Sequence, residues 1–169
     1  IQLVHEMPKS HKGSSKMKSK PDKSRSDLDV NSYTRKPKRW GSRSIAHLPE
    51  EFLKRASEVG IVSEENSRSA TYFQVDHSVT AEIVQNLFQD KIEVMSTKKA
   101  LKKYRWFKDY WWKLINADTD KFTALAETRW DQGYFIRILE DQKVDFPLQA
   151  CLFVSTDNLN QNVHNVVIS

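Results

Sequence analysis

Six aromatic side chains fall within nine consecutive positions: Tyr104, Trp106, Phe107, Tyr110, Trp111 and Trp112, inside the stretch STKKALKKYRWFKDYWWKLINAD at 96–118. Each large ring removes about 150–250 Å² from water when enclosed, so any fold of this chain must be arranged around this stretch. At helical spacing Leu101, Tyr104, Lys108, Trp111 and Ile115 share one face, and Phe107, Trp111 and Leu114 form a stripe beside it. Ser96 or Thr97 can cap the start, and Asn116-Ala117-Asp118 can close the end. The pattern predicts one long amphipathic helix with Trp111 where the two stripes meet. Rings that encircle a helix cannot all be covered by a small domain. An edge made of Lys103, Arg105, Trp106 and Tyr110 is therefore expected to stay open to a partner, with Trp106 serving binding more than folding.

Charge divides the chain. Residues 1–44 hold eight Lys and four Arg against Glu6, Asp22, Asp27 and Asp29, whereas the remainder is mildly acidic within an overall +5. Residues 8–44 contain too few apolar side chains to offset their ordering entropy, so 1–44 is expected to be a basic arm, disordered when free, on a globular body at 45–169. In the arm, Arg35, Lys36, Lys38, Arg39, Trp40 and Arg43 form a cluster suited to phosphate contact or nuclear import. Ser24, Ser26 and Ser44 adjoin arginines and resemble phosphorylation sites.

The body reads as α+β. Pro49, Glu50 and Glu51 open a short helix that Gly60 ends, and Thr71–Val75 reads as a brief strand or an extended link. Val79, Ile83, Val84, Leu87, Phe88 and Ile92 follow an i, i+4 pattern after Ser78, predicting a second helix against the aromatic one. From Phe122 the period changes to an alternation through Trp130, and Asp131-Gln132-Gly133 signals a turn. Apolar runs at 134–139, 148–154 and 163–168 complete four strands, expected as a small antiparallel meander covered by about three helices. The alternative is an all-α body, because Phe122, Leu125, Ala126, Arg129 and Gly133 also fit a period of about 3.6.

Catalytic and metal patterns are missing. Cys151 is the only cysteine and sits in an apolar run, as a small hydrophobe would; only pairing of the last two strands would bring His164 to it. The five histidines have no ligand spacing, and Asp118-Thr119-Asp120 lacks the Gly and Glu of a calcium loop. Four scattered glycines form no phosphate cradle. No run approaches the roughly 18 apolar residues of a membrane span. A single cysteine and no Asn-x-Ser/Thr site favour an intracellular protein, and the basic cluster favours the nucleus. The expectation is a non-enzymatic subunit without cofactor or small-molecule substrate. Its aromatic helix would dock protein partners while its arm contacts RNA or DNA phosphate. The alternative is a protein-binding adaptor whose arm carries an import signal.

Overall fold

The computed structural model describes residues 28–38, 45–62 and 67–169. Its centre is β1 (Ala70–Val75), buried along its whole length between an antiparallel neighbour β2 (Ser78–Val84) and a parallel neighbour β5 (Leu148–Phe153). A second sheet has β4 (Tyr134–Ile138) in the middle, antiparallel to β3 (Ile92–Ser96) and parallel to β6 (Val166–Ile168). The fold is therefore α+β with two mixed sheets of three strands each, not one antiparallel meander and not an all-α body. Parallel pairing follows from the connections: β5 returns beside β1, and β6 beside β4, only after the chain has crossed between sheets.

Alternation along the central strands produces layers. Ala70 and Tyr72 of β1 face Ile92, Val94 and Ile136 of the second sheet. Phe73 and Val75 face the opposite way, toward Ile45, Leu48 and Ala56. There α1 (Glu50–Glu58) lays Phe52, Leu53 and Ala56 on the first sheet. Phe135 of β4 points away from the first sheet into a cluster with Ala100, Leu101 and Phe107. The order across the molecule is helix, sheet, sheet, and an aromatic layer.

α1 forms as expected, with Pro49 at its entry, Glu50 and Glu51 in the first turn, and Gly60 beyond it at φ +82°. Three other expectations are corrected. Residues 78–92 are strand β2, a short 3-10 turn (Asn86–Phe88) and the start of β3, not a helix. Val79, Thr80, Ile83 and Val84 are β-branched, and pairing with β1 outweighs the accidental i, i+4 spacing. The stretch 96–118 yields only α2 (Thr97–Lys103), which Ser96 caps by accepting from the Lys99 N–H, followed by a 3-10 turn (Arg105–Asp109). Tyr104 between them is extended at φ −119° and ψ 111°, and Trp112 is left-handed at φ 57°. The break turns Phe107 wholly inward against Phe135, ring centroids 4.7 Å apart, which a continuous helix would not allow. Finally, Lys121–Thr128 is a helix, α3. Asp120 caps it, accepting from the Phe122 and Thr123 N–H groups at 2.9 and 2.8 Å, while Thr123 Oγ1 accepts the Asp120 N–H at 3.0 Å.

Residues 28–38 lie on the body. Thr34 donates to the Asn158 carbonyl at 2.8 Å and accepts from the Asn160 N–H at 2.7 Å, and the Lys38 N–H donates to Thr156 Oγ1 at 2.8 Å.

The turn before β4 tolerates no side chain at its glycine. Gly133 has φ +116°, and a Cβ there would lie 2.4 Å from the His164 carbonyl oxygen. Gly60 is also left-handed but has nothing within 4 Å of such a Cβ. Gly133→Ala is expected to cost about 3 kcal/mol or more, since strain and a backbone collision add, and Gly60→Ala about 1 kcal/mol. Urea denaturation of both variants checks this; equal losses would refute it.

Candidate partner-docking surface

Beyond the second sheet, Lys103 at the end of α2, Tyr104 before the 3-10 turn and Arg137 on β4 come together around one carboxylate. Glu93 on β3 stands directly across the antiparallel pair from Arg137 on β4. Its Oε1 accepts from Lys103 Nζ at 2.9 Å and from the Tyr104 hydroxyl, and its Oε2 lies 3.6 Å from the Arg137 guanidinium. Burial would raise the Glu93 pKa. The Tyr104 and Lys103 hydrogen bonds and the charges of Lys103 and Arg137 outweigh it and hold the carboxyl below its ordinary value. Glu93 stays ionised and fixes the cations around it.

Those cations frame aromatic rings. The Arg137 guanidinium sits 5.2 Å from the Trp106 ring centroid and 5.9 Å from that of Tyr104, and Lys103 Nζ is 4.9 Å from Tyr104. Tyr104 and Trp106 are tilted rings 5.2 Å apart, and Tyr110 meets Trp106 edge-on at 5.7 Å. Trp106 is half-buried while Tyr110 is exposed, and the following loop leaves Leu114 98% and Ile115 56% exposed. The result is an aromatic and apolar surface with a fixed guanidinium, the composition that concentrates binding energy at protein interfaces.

The residues singled out in sequence divide among three places. Lys103, Arg105, Trp106 and Tyr110 do come together here, with Arg105 exposed. Trp106 also packs on Phe107 and Phe135, so it belongs to the core as well as the surface. Arg35 lies elsewhere, its guanidinium 3.2 Å from the buried carboxylate of Asp131. Lys36 and Lys38 are exposed along the arm segment. Arg39, Trp40 and Arg43 lie outside the described residues, as do Ser24, Ser26 and Ser44. Glu93, Tyr104 and Arg137 are site residues that the sequence reading does not name; the available signal is the Ile92-Glu93-Val94 alternation, hidden because Glu93-Val94-Met95 reads as a connection between two helices.

The other candidate chemistry dissolves. β5 and β6 belong to different sheets, so Cys151 and His164 form no dyad. Cys151 packs with the cluster under α1, and burial pushes its thiol from 9.0 to about 11. His164 stacks on Trp111 and Trp112, ring centroids 4.1 and 4.2 Å away. Among the described residues no group of three or more His, Cys, Asp or Glu could hold a metal ion, and no helix is long and apolar enough to cross a membrane.

Two measurements test this layer. Phe107 is fully buried, whereas Trp111 is only half-buried between Phe107, Trp130 and His164. Phe107→Ala should therefore cost about 3–5 kcal/mol and exceed Trp111→Ala in thermal melts; the reverse order would refute the layer. Burial also lowers the His164 pKa from 6.5 to about 4, keeping its ring neutral in the fold. Below pH 6.5 the unfolded chain gains a proton that the folded chain refuses. The stability His164 contributes is thus complete above that pH and lost as pH falls toward 4. Relative to His164→Phe, the wild type should lose on the order of 1 kcal/mol between about pH 7 and about pH 5, after discounting for solvent screening. Urea titrations at the two pH values check this, and parallel losses would refute it.

No protein-family model matches the chain. It is 44% identical over 115 residues, 68% of its length, to an iron-sulfur cluster assembly SufBD family protein of Archaeoglobus fulgidus. It is 38% identical over 126 residues, 72% of its length, to an iron-sulfur cluster assembly SufBD family protein of Methanothermobacter thermautotrophicus. Over 148 residues, 84% of the chain, it is 28% identical to the iron-sulfur cluster assembly protein SufB of Bacillus subtilis. The matches take in 30%, 30% and 31% of those proteins, so the chain spans about a third of the relatives' length. These findings overturn the expected nucleic-acid-binding nuclear subunit, and with it the import signal and the phosphoprotein reading. The relatives are named for iron–sulfur cluster assembly and come from archaea and bacteria, whose cells have no nucleus. The chain is similar to part of an iron–sulfur cluster assembly protein.

Proposed function

We propose that this chain serves iron–sulfur cluster assembly as the non-catalytic, partner-binding portion of a SufBD-type protein. The observation that carries the reading is 44% identity over 115 residues to a protein so named. The surface around Trp106, Tyr110, Leu114 and Arg137 supports it with a composition suited to protein contact.

The cluster in this reading is cargo, and this portion contributes contacts to its handling. Iron–sulfur clusters are held mainly by several cysteine thiolates. The chain has one cysteine, half-buried in β5, and burial favours its protonated form. That residue does not fit the role of a cluster anchor, so ligands would come from elsewhere in the assembly.

Two results test the proposal. Deleting the chain from its host should lower the activity of iron–sulfur enzymes, and restoring it as Tyr110→Ala/Leu114→Ser should recover the protein level but not that activity. Undiminished iron–sulfur enzyme activity after deletion would overturn it. Reconstitution of the purified chain with ferrous iron and sulfide should give no stable visible absorption of a bound cluster, and Cys151→Ala should change nothing. A stoichiometric cluster that depends on Cys151 would refute the non-ligating role.

A further inference from the structure

A second face of the molecule carries a groove of about 760 Å³ that the aromatic surface does not use. One wall is the run His77–Ile83, the end of the β1–β2 turn and most of β2; the other is α2, which contributes Lys98, Lys99 and Lys102. β2 is an edge strand, because the sheet order is β2-β1-β5. Among the described residues no backbone group of 79–83 hydrogen-bonds to anything outside β1. One wall is therefore a row of unspent peptide groups.

The charges on the other wall are unevenly compensated. Glu82 accepts from the Ser96 N–H at 2.6 Å and pairs with Lys99 Nζ, so these two residues neutralise each other and tie β2 to the start of α2. Lys98 lies over the Trp130 ring at 5.4 Å, which leaves its charge in place. Among the described residues neither Lys98 nor Lys102 has a carboxylate within ion-pair distance, and both are exposed. They are one helical turn apart on the same face, about 6 Å along the axis. In an extended chain alternate side chains on one side recur about every 6.6–7 Å. The two ammonium groups thus match carboxylates at positions i and i+2 of a strand.

A third feature lies in the same wall. The pairing of β1 with β2 skips a residue, Phe73 opposite Ala81 and Gln74 opposite Val79, so Thr80 is the inserted residue of a β-bulge. Thr80 is 4% exposed, and its hydroxyl is buried with no hydrogen-bond partner. A polar group left so beside a groove is a place where an incoming donor or acceptor gains.

We infer that this groove binds an extended acidic segment of a partner protein, its carboxylates at alternate positions on Lys98 and Lys102 and its backbone along the free edge of β2. Strand addition supplies the backbone hydrogen bonds, and the lysines select acidic side chains. A compact phosphate-bearing ligand fits less well. The lysines are strung along a helix rather than converging, and the site has no glycine cradle. The inference rests on the groove alone and stands apart from the iron–sulfur reading.

Titration calorimetry or fluorescence anisotropy with the full chain tests it. The probe is a ten-residue peptide alternating Glu with Thr and Val; the control has the same composition with its acids in one block. The alternating peptide should bind, weaken as salt rises, and lose about tenfold or more in affinity against Lys98→Glu/Lys102→Glu, which leaves the melting temperature unchanged. Lys108→Glu/Lys113→Glu makes the same charge change away from the groove and should retain binding. N-methylation of the peptide on its strand-facing side should abolish binding. No binding at low salt, equal loss in both double variants, or equal affinity for the blocked peptide would overturn the inference. So would tripolyphosphate or an oligonucleotide bound at Lys98 and Lys102 more tightly than the alternating peptide.

Discussion

One backbone turn holds the two sheets together. The Gly133 carbonyl accepts from the Thr97 N–H at 2.9 Å, from the Tyr72 hydroxyl at 3.1 Å and from the Thr97 hydroxyl at 3.4 Å. Its N–H donates to Gln74 Oε1 at 3.3 Å, which also accepts the Tyr72 hydroxyl at 2.8 Å, and Gln74 Nε2 reaches the Asp76 carbonyl at 2.9 Å. Tyr72 and Gln74 belong to the first sheet, Gly133 leads into the second, and Thr97 opens α2. Both side chains are fully buried, so each unsatisfied group would cost about 1–3 kcal/mol. Burial raises the Tyr72 pKa far above its ordinary value, so the hydroxyl is a permanent donor. The network admits one spacing between the sheets. The His164 backbone then closes over the same glycine from the other side.

The position of the aromatic surface follows from that junction. With Thr97 fixed to Gly133, α2 must start beside β4, and its direction carries Tyr104 over the end of the second sheet. Phe135 presents one ring there, and Tyr104, Trp106 and Phe107 all pack within 6.2 Å of it, centroid to centroid. Three rings cannot reach a single partner from one straight helix. The extended residue at Tyr104 resolves the conflict at the expense of helical hydrogen bonds, leaving Tyr110, Leu114 and Ile115 outside. Exposure of those side chains is thus a consequence of satisfying Phe135.

This explains which parts of the fold were legible in sequence. Local chemistry was readable: the entry of α1, the Ser96 cap, the Asp131-Gln132-Gly133 turn, and the strands at 134–138 and 148–153. Periodicity misled where residues serve two clusters at once. In 78–92, Val79, Ile83 and Val84 have i, i+4 spacing, yet Ile83 packs toward α1 while Val79 and Val84 pack toward the second sheet. In 122–130 both periods were present, and the capping pair Asp120 and Thr123 decided for helix. Parallel pairing of β1 with β5 joins residues nearly eighty positions apart, and nothing local encodes it. Of the surface, Lys103, Arg105, Trp106 and Tyr110 were visible as a cluster. Their organiser Glu93 was not, because its role depends on facing Arg137 across a strand pair.

The same dependence decides which cations are available. Counting lysines and arginines along the chain makes the arm the obvious electrostatic feature, but the fold redistributes that charge. Arg35 is drawn to Asp131, whose other carboxylate oxygen lies 3.4 Å from His77 and accepts the Asn162 N–H at 3.1 Å. Lys103 and Arg137 share Glu93, and Lys99 takes Glu82. Each pairing places a cation beside a carboxylate that a further hydrogen bond holds in position, from the Asn162 N–H on Asp131, the Tyr104 hydroxyl on Glu93 and the Ser96 N–H on Glu82, so its role is structural before it is available to a partner. A pair with one buried member is also screened less by salt than an exposed pair. Lys98 and Lys102 differ because α2 presents them across a groove whose carboxylate among the described residues, Glu82, already has its cation. Their charge remains uncommitted for want of a facing acid, and sequence alone cannot reveal that condition.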